Sequence, residues 1–276
     1  MSEINVENVD FSVVLVSTNQ LNLLKKYLHT LFQVNEKAKL EVACIDNACT
    51  DGTADWVKEN FKDIVIVRNN IKKSYSENMN LGMNILKKGK YFVVFNPDIQ
   101  CLPGLWDESL KFMNENPDVG IMGPCLLNAD GSIQYSCRRF STPLALLIRG
   151  LHLDSIFLEN KVIKEYLMLD FGHNSVKDVD WVMGALMVVR REAIEQVGGM
   201  DERYKITYAE DQDWCCRMWQ NGWRVSYVPI AKAIHCHQRD GMRKPWSKMA
   251  RIQTINTIMM LKKYNWKLSK KSFEVI

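Results

Sequence analysis

Blocks of apolar residues alternate with amphipathic stretches over the first 120 residues of the chain. Five short, β-branched apolar runs predict buried parallel strands, at residues 11–17, 40–45, 64–67, 91–95 and 119–122. Between them, leucines at helical spacing and the capping box Ser74-x-x-Glu77 predict helices. Because parallel strands need crossover connections and these helices supply them, this half is predicted to be a βαβ sheet with both faces covered.

The pattern changes after about residue 125. The sequence Asn-Ala-Asp-Gly at 128–131 predicts a turn between two strands, and residues 140–178 show no clean period. A strand over 180–189, a helix over 211–220 and a strand over 223–228 are expected next. From Trp246 onward an apolar stripe predicts an amphipathic helix. The stripe consists of Met249, Ile252, Ile255, Ile258 and Met259.

Short polar side chains follow four of the predicted parallel strands. They are Thr18-Asn19, Asp46-Asn47, Asn69-Asn70 and Asn96-Pro97-Asp98. In open α/β sheets, ligands bind beyond the carboxyl ends of the strands, so a binding site is predicted at this edge.

Two carboxylates at this edge have the chemistry of ligand-binding groups. Asp98 could hold Mg²⁺ or Mn²⁺, which takes one or two protein carboxylates together with phosphate oxygens. Asp46 could accept the imide N–H of uracil or thymine, or a ribose hydroxyl. Each has a structural alternative, because Asn-Pro-Asp also makes a turn and Asp46 also suits an Asx-turn.

The second half contains an acidic cluster and a pair of histidines. Glu210, Asp211 and Asp213 begin a predicted helix, where the helix dipole stabilises acids and simple capping would explain them. Tyr208 and Trp214 flank the cluster, and a desolvated Asp beside other acids can act as a general base. One imidazole of His235-Cys-His237 could complete a metal site with Asp98, although a histidine at a strand end is also a common structural feature.

The charge of the chain is unevenly distributed. The net charge is +4, but residues 243–276 carry nine Lys/Arg and one Glu, which leaves 27 Lys/Arg and 31 Asp/Glu in residues 1–242. Such a basic tail indicates an anionic partner, for example a membrane surface. A helix packed on the domain with a solvated basic face is the alternative. The acidic body and the lack of a recognition motif disfavour nucleic-acid binding.

Several classes of protein are disfavoured by what the sequence lacks. It contains no export signal at its start, no run of 18 apolar residues, and no C-x-x-C pair among its eight cysteines, so a cytoplasmic location with reduced thiols is expected. A zinc site from Cys215, Cys216 and the 235–237 segment is disfavoured because adjacent helical side chains diverge by about 100°. No Gly-rich phosphate loop follows the first strand, which disfavours dinucleotide oxidoreductases.

Seven segments, in order along residues 11–240, resemble glycosyltransferase family 2, the inverting enzymes of the GT-A fold, in its rhamnosyltransferase-like branch. They are VVLVSTN (13–19), CIDNACTDGT (44–53), NMNLG (78–82), VVFNPDI (93–99), VDWVMGALMVVRREAIEQVGGMDERY (179–204), YAEDQDWCCRMWQNGWRV (208–225) and the His235 segment. The resemblance implies an α/β fold, a Rossmann-like mixed sheet flanked by helices, here with a basic amphipathic C-terminal helical extension.

The resemblance also implies roles for individual residues. The residues expected to contact the nucleotide sugar are Thr18, Asn19, Asp46, Asn47, Asn80 and Asn96. Asp98 and His235, or His237, are expected to bind the metal, and Asp211, which follows Glu210, is expected to be the catalytic base. The acceptor side is expected to include Trp181, Gly184 and Asp213. Two departures stand out. Asn96 replaces the first Asp of the Asp-x-Asp motif, and the loop at 69–73 reads Asn-Asn-Ile-Lys-Lys in place of Asn-x-Gly-Phe.

The resulting hypothesis is an enzyme that moves a sugar, with rhamnose the first candidate, from a nucleoside diphosphate to a glycan or lipid-linked acceptor by a single displacement that needs Mg²⁺ or Mn²⁺. A nucleotide-binding half (1–125), an acceptor-binding and catalytic half (126–240) and a basic helical tail (241–276) are expected. The oligomeric state is left open. The alternatives are a non-catalytic sugar-nucleotide or glycan-binding relative and a nucleotidyltransferase.

Overall fold

A mixed nine-stranded sheet forms the centre of the computed structural model, which describes residues 9–34, 37–140, 161–236, 247–266 and 268. The strands in these ranges are β1 Phe11–Ser17, β2 Leu40–Asp46, β3 Ile64–Arg68, β4 Tyr91–Phe95, β5 Ile99–Cys101, β6 Val119–Leu127, β7 Cys137–Arg138, β8 Lys177–Asp178, β9 Trp181–Val182, β10 Leu186–Arg190 and β11 Arg224–His235. Strands β7 and β9 form a separate two-stranded sheet.

Helices cover both faces of the large sheet. Within the described ranges they are α1 Leu21–Tyr27, α2 Thr30–Gln33, α3 Thr53–Asn60, α4 Tyr75–Ile85, α5 Leu105–Glu115, α6 Lys161–Tyr166, α7 Arg191–Val197, α8 Glu210–Gln220 and α9 Lys248–Lys263. Alternate residues of β1 enter opposite cores: Val13 and Leu15 face one, Val14 and Val16 the other. This alternation is the period-2 geometry of a strand buried on both sides. The predicted α/β class is confirmed.

The order of strands across the large sheet is β3-β2-β1-β4-β10-β6-β11-β5, with β8 pairing β11. Strands β1 to β4 are mutually parallel, as the first half of the sequence predicts. Strand β10, from the second half, inserts antiparallel between β4 and β6. In its register Leu186 lies opposite Phe95, so the segment that precedes β10 meets the segment that follows β4.

Two predicted strands differ from those observed. The strand expected over 180–189 is split at Met183 and Gly184, because the N–H of Met183 donates to Ser136 and that of Gly184 donates to the Asp211 carboxylate. The strand expected to stop at 228 continues to His235. A register shift between Val228 and Lys232 allows β11 to continue past Pro229.

The C-terminal helix forms as predicted but buries a different face. Ser247 caps α9, and the buried residues are Asn256, Met260 and Leu261. Ile255 and Ile258, which the apolar stripe placed inward, are 61% and 40% exposed. Contacts of the buried amide of Asn256 with the loop before α8 accompany this rotation. No helix in the described parts of the chain is long and apolar enough to cross a membrane.

Candidate active site

A network of side-chain amides closes the carboxyl ends of β1, β2 and β3. Asn47 donates to Thr18 Oγ1 at 3.2 Å and to the Lys73 carbonyl at 3.1 Å, and it accepts from the Lys73 N–H at 2.9 Å. Asn69 donates to Asn47 Oδ1 and, at 2.6 Å, to Asn78 Oδ1. These bonds fix the 69–73 loop against the strand ends and leave Thr18 exposed at the rim.

Asp46 and Asn19 shape the same edge through turns. The Asp46 carboxylate accepts the Cys49 N–H at 2.7 Å, so the predicted Asx-type turn is present. Asn19 has a positive φ of 56° and accepts the Thr50 N–H at 2.7 Å. The Asx-type turn therefore uses one of the two carboxylate oxygens of Asp46.

Asp98 and His235 meet where β4 ends and β11 ends. Asp98 Oδ1 lies 3.3 Å from His235 Nε2, and both side chains are buried. The pairing of β5 with β11 places His235 opposite Ile99, next to Asp98. The predicted turn over Asn-Pro-Asp is also present, since Ile99 N–H donates to the Asn96 carbonyl.

Gln134 determines which ring nitrogen of His235 carries the hydrogen in the neutral form. Gln134 Nε2 donates to Asn128, so its Oε1, 2.7 Å from His235 Nδ1, is the acceptor and Nδ1 carries the hydrogen. In the neutral ring, Nε2 then presents a lone pair to a carboxylate oxygen. Two such atoms at this distance need a proton or a cation between them. An Asp and a His oriented by another side chain are a donor set that fits a divalent cation.

The described residues hold no group of three or more His, Cys, Asp or Glu side chains arranged for a metal ion. A cation at Asp98 and His235 would therefore take its remaining ligands from phosphate oxygens or water. Cys215 and Cys216 are fully buried in the core. His237 lies outside the described residues.

Tyr75 joins the end of β4 to the segment before β10. Its hydroxyl lies 3.0 Å from the side-chain oxygen of Asn96 and 3.0 Å from the carbonyl oxygen of Gly184. Asn96 N–H also donates to the Ala185 carbonyl at 2.9 Å. Burial and the carboxyl groups of Glu210, Asp211 and Asp98 hold the pKa of Tyr75 well above its ordinary value. Tyr75 thus contacts Asn96, two positions before Asp98, and Gly184, whose N–H donates to Asp211.

Glu210 and Asp211 begin helix α8 directly beside this tyrosine. Burial, followed by repulsion from Asp211, raises the pKa of Glu210 to about 7. Burial also raises the pKa of Asp211, while the N–H groups of Gly184 and Gln212 and the charge of Arg138 oppose that rise. The Gly184 N–H lies 3.0 Å from Asp211 Oδ2. A carboxylate with a raised pKa and a fixed oxygen suits a general base.

The backbone leading into the acidic pair is strained. Ile206, Tyr208 and Ala209 all have positive φ, at 62°, 81° and 76°. For residues other than glycine this conformation costs on the order of 1–3 kcal/mol each, and it concentrates at functional sites. The segment 205–209, called the approach loop below, therefore needs contacts that hold it.

Asn80 and Asp213 have their hydrogen bonds elsewhere, whereas Trp181 lies beside Arg138. The Asn80 side chain donates to the Met200 carbonyl and to the Glu202 carboxylate, and it accepts the Met200 N–H. The fully buried Asp213 accepts from Tyr204, Arg217, Lys263 and Tyr264. Trp181 donates to the Arg139 carbonyl. The structure does not bring Asn80 to the amide network, and the roles assigned to these three residues stay predictions.

Three residues at the site were missed from the sequence. Tyr75 follows an N-cap, Gln134 follows the 128–131 turn, and Arg138 lies in the two-residue strand β7, just before the segment 140–178. The Arg138 guanidinium stacks 5.1 Å from the Trp181 ring and lowers the pKa of Asp211. The only available signal was a polar side chain adjacent to a turn or cap, which does not by itself identify a site residue.

Comparisons with known proteins identify the family of this chain. Residues 12–197 match the model for glycosyl transferase family 2, and residues 160–268 match that for glycosyl transferase family group 2. The chain is 30% identical over 239 residues to an N-acetylglucosaminyl-diphospho-decaprenol L-rhamnosyltransferase of Mycobacterium tuberculosis, covering 82% of this chain and 76% of that protein. It is 29% identical over 178 residues to rhamnosyltransferase WbbL of Escherichia coli, covering 62% and 61%.

Among solved structures, GalNAc-T7 with UDP, GalNAc and Mn²⁺ superposes with a TM-score of 0.66 at 15% identity, covering 93% of this chain and 48% of that one. A likeness at that identity concerns the fold alone, and it agrees with the GT-A architecture. The resemblance read from the seven sequence segments is confirmed. This chain belongs to glycosyltransferase family 2.

Proposed function

We propose that this glycosyltransferase transfers L-rhamnose from a nucleoside diphosphate to a lipid-linked glycan acceptor with inversion at the anomeric carbon. The proposal rests on the hydrogen bonds of Tyr75 with Asn96 and with Gly184, whose N–H donates to Asp211, because they link the strand end that carries Asp98 to the acidic pair. The sugar and the acceptor class are supported by the names of the M. tuberculosis and E. coli relatives.

In the proposed reaction, Asp211 removes the proton from an acceptor hydroxyl. That oxygen forms a bond to the anomeric carbon while the bond to the diphosphate oxygen breaks, and the electron pair leaves with the nucleoside diphosphate. One displacement inverts the configuration. The hydrogen bond from Gly184 orients Asp211, and a positioned base typically contributes ~10²–10⁴-fold in rate.

A divalent cation fits the donor side. Asp98 and His235, oriented by Gln134, are the residues that would hold Mg²⁺ or Mn²⁺. The bound ion would neutralise charge on the leaving diphosphate. In this proposal the second oxygen of Asp46 and the rim hydroxyl of Thr18 contact the base and ribose of the donor.

The test is a panel of nucleotide sugars offered with Mn²⁺, in the presence and absence of a polyprenyl-diphosphate-linked acceptor, with release of nucleoside diphosphate as the measurement. We expect dTDP-L-rhamnose to give acceptor-dependent release that Asp211→Asn abolishes. Release from a UDP-hexose alone would overturn the assignment of the sugar. A non-catalytic relative would bind a donor without any release.

The outer face of α9 supports contact of the protein with an anionic membrane surface. Ile255 and Ile258 are exposed between Arg251 and Lys262, and Trp266, 50% exposed, follows the helix. Exposed apolar side chains among cations, with no acidic residue in α9, are typical of helices that lie in a membrane interface. The inner face of the same helix is packed on the domain.

Flotation with vesicles rich in anionic phospholipid tests this contact. The double variant Ile255→Glu/Ile258→Glu is expected to lose flotation. Its matched control, Val65→Glu/Ile230→Glu, alters two residues that are 43% and 59% exposed elsewhere, and it is expected to float like the wild type. Equal flotation of both variants would contradict the proposal.

A further inference from the structure

The side chain of Asn256, on the C-terminal helix α9, is buried against the approach loop. Its Oδ1 accepts the Lys205 N–H at 3.2 Å. Its Nδ2 donates to the carbonyl oxygens of Lys205, Thr207 and Tyr208 at 2.9, 3.0 and 3.2 Å. Only an amide side chain offers both a donor and an acceptor in this arrangement, because a carboxylate would face three carbonyl oxygens without a proton.

The approach loop is also held by Tyr75. The Tyr75 N–H donates to the Ile206 carbonyl at 2.6 Å, and Thr207 Oγ1 donates to Glu210 at 2.8 Å. Strained backbone of this kind persists only where surrounding contacts over-determine it. Four of those contacts come from Asn256, a residue 45 positions after Asp211 on a helix outside the sheet.

We propose that Asn256 is a positioning residue that makes α9 part of the catalytic machinery, by holding the approach loop so that Glu210 and Asp211 face the acceptor. This inference rests on the proposed function for the role of Asp211. The contact between α9 and the loop is independent of that function.

The attachment of α9 does not depend on Asn256 alone. Lys263 Nζ bonds Asp201 at 2.9 Å and Asp213 at 2.6 Å, and Tyr264 donates to Asp213 at 2.9 Å. Met260 and Leu261 are buried in the same interface. A change of Asn256 is therefore expected to release the loop while the helix stays in place.

Hydrogen exchange of the full chain tests the contact without any need for activity. Asn256→Leu keeps the approximate size of the side chain and removes all four hydrogen bonds. We expect exchange in residues 205–211 to accelerate roughly tenfold or more, with strands β1 and β4 unchanged. Tyr264→Phe is the matched control, because it removes a hydrogen bond of the helix to Asp213 without touching the loop. Unchanged exchange in 205–211 would overturn the inference.

Kinetics test the role in positioning. Asn256→Leu should lower kcat by ~10–10²-fold, as expected when a base is misplaced, while the donor KM and the Kd of the nucleoside diphosphate stay within about twofold. Tyr264→Phe should keep the wild-type kcat. A parallel loss of nucleotide binding and kcat in Asn256→Leu would indicate general unfolding and contradict the inference. If Asn256→Leu does not fold, Asn256→Ser gives the same two readouts.

The two proposals fail in different ways. If no nucleotide sugar is turned over by the wild type, the proposed function fails, and exchange in 205–211 still reports whether Asn256 holds the loop. If transfer is observed and Asn256→Leu has the wild-type kcat, only this inference fails. Removal of the tail is consequently a poor test of membrane contact, because it also removes Asn256.

Discussion

The two halves of the site are assembled in different ways. On the proposed donor side, Thr18, Asp46, Asn47 and Asn96 each lie at or directly after the end of a strand of one parallel block, so the sheet itself brings them together. On the proposed acceptor side, the candidate groups meet through single contacts between distant segments. Examples are Gly184 with Asp211 and Asn256 with the approach loop.

This difference teaches where function is sensitive to mutation. A site made by adjacent strand ends has its geometry fixed by the backbone ladder, and loss of one side chain leaves the rest in place. A site made by isolated side-chain contacts depends on each of them. We therefore expect substitutions on the acceptor side to act on turnover and those on the donor side to act on binding.

Asp211→Asn is expected to have the largest effect. It removes the proposed base and keeps the shape of the side chain, so kcat should fall ~10²–10⁴-fold while nucleotide binding is retained. Steady-state kinetics with calorimetric nucleotide titration measures both. Asp118→Asn, which alters a partly exposed ion pair with Arg224, is the control and should have normal turnover. Turnover near the wild-type value in Asp211→Asn would remove it as the base.

Glu210→Gln is expected to stabilise the protein at alkaline pH. Burial and Asp211 raise the pKa of Glu210 from 4.5 to about 7, so between these pH values the folded state keeps a proton that the unfolded state loses. Wild-type stability should therefore fall as pH rises through this window, and a neutral glutamine removes that loss. We expect a gain in unfolding free energy of roughly 2–3 kcal/mol at pH 8 and none at pH 4.5.

Denaturant unfolding at both pH values measures this gain, and the exposed Glu202→Gln serves as the control. Equal stability of Glu210→Gln and the wild type at pH 8 would show that Glu210 is not held in a charge-disfavouring environment. The result would also sharpen the contrast between the halves, since the Asp46 carboxylate on the proposed donor side accepts the Cys49 N–H.

Gln134→Leu tests the cation site without touching its ligands. Loss of the hydrogen bond to His235 Nδ1 frees the tautomer and orientation of the ring, so Mn²⁺-dependent nucleotide affinity should weaken by ~10–100-fold. Gln196→Leu is the matched control, because Gln196 accepts a ring N–H from Trp223 away from the site. Affinity that is the same with and without chelator in the wild type would contradict metal use altogether.

The contrast between halves also explains how much could be predicted from the sequence. Parallel strands buried on both faces have a local apolar pattern, so β1 to β4 and their polar ends were predictable, as was the acidic pair at the start of α8. Tyr75, Gln134 and Asn256 were not, because their roles come from partners far away in the chain. The apolar stripe of α9 misled for the same reason: a polar residue, Asn256, occupies its buried face.

Tyr75→Phe is expected to have the smallest effect on kcat, and it tests the contacts of Tyr75 that connect the two halves of the site. The tyrosine has one hydroxyl proton for two oxygens, those of Asn96 and Gly184. With the Asn96 amide rotated by 180°, Nδ2 donates to Tyr75 and Tyr75 donates to Gly184, so all three groups are satisfied. Loss of the hydroxyl should loosen Gly184, and with it Asp211, lowering kcat roughly tenfold with little change in donor KM.

The control for this variant is Tyr91→Phe, which removes a buried hydroxyl bonded to Asn114 at the opposite end of β4. Both variants should lose about 1 kcal/mol of stability, and only Tyr75→Phe should lose turnover. Asn96→Asp separates the two halves further, because a carboxylate would take the hydroxyl proton away from Gly184. Asn96→Asp should lower kcat clearly when Tyr75 is present and only slightly in the Tyr75→Phe background. If the two substitutions instead lower kcat additively, Tyr75 does not connect Asn96 to the base.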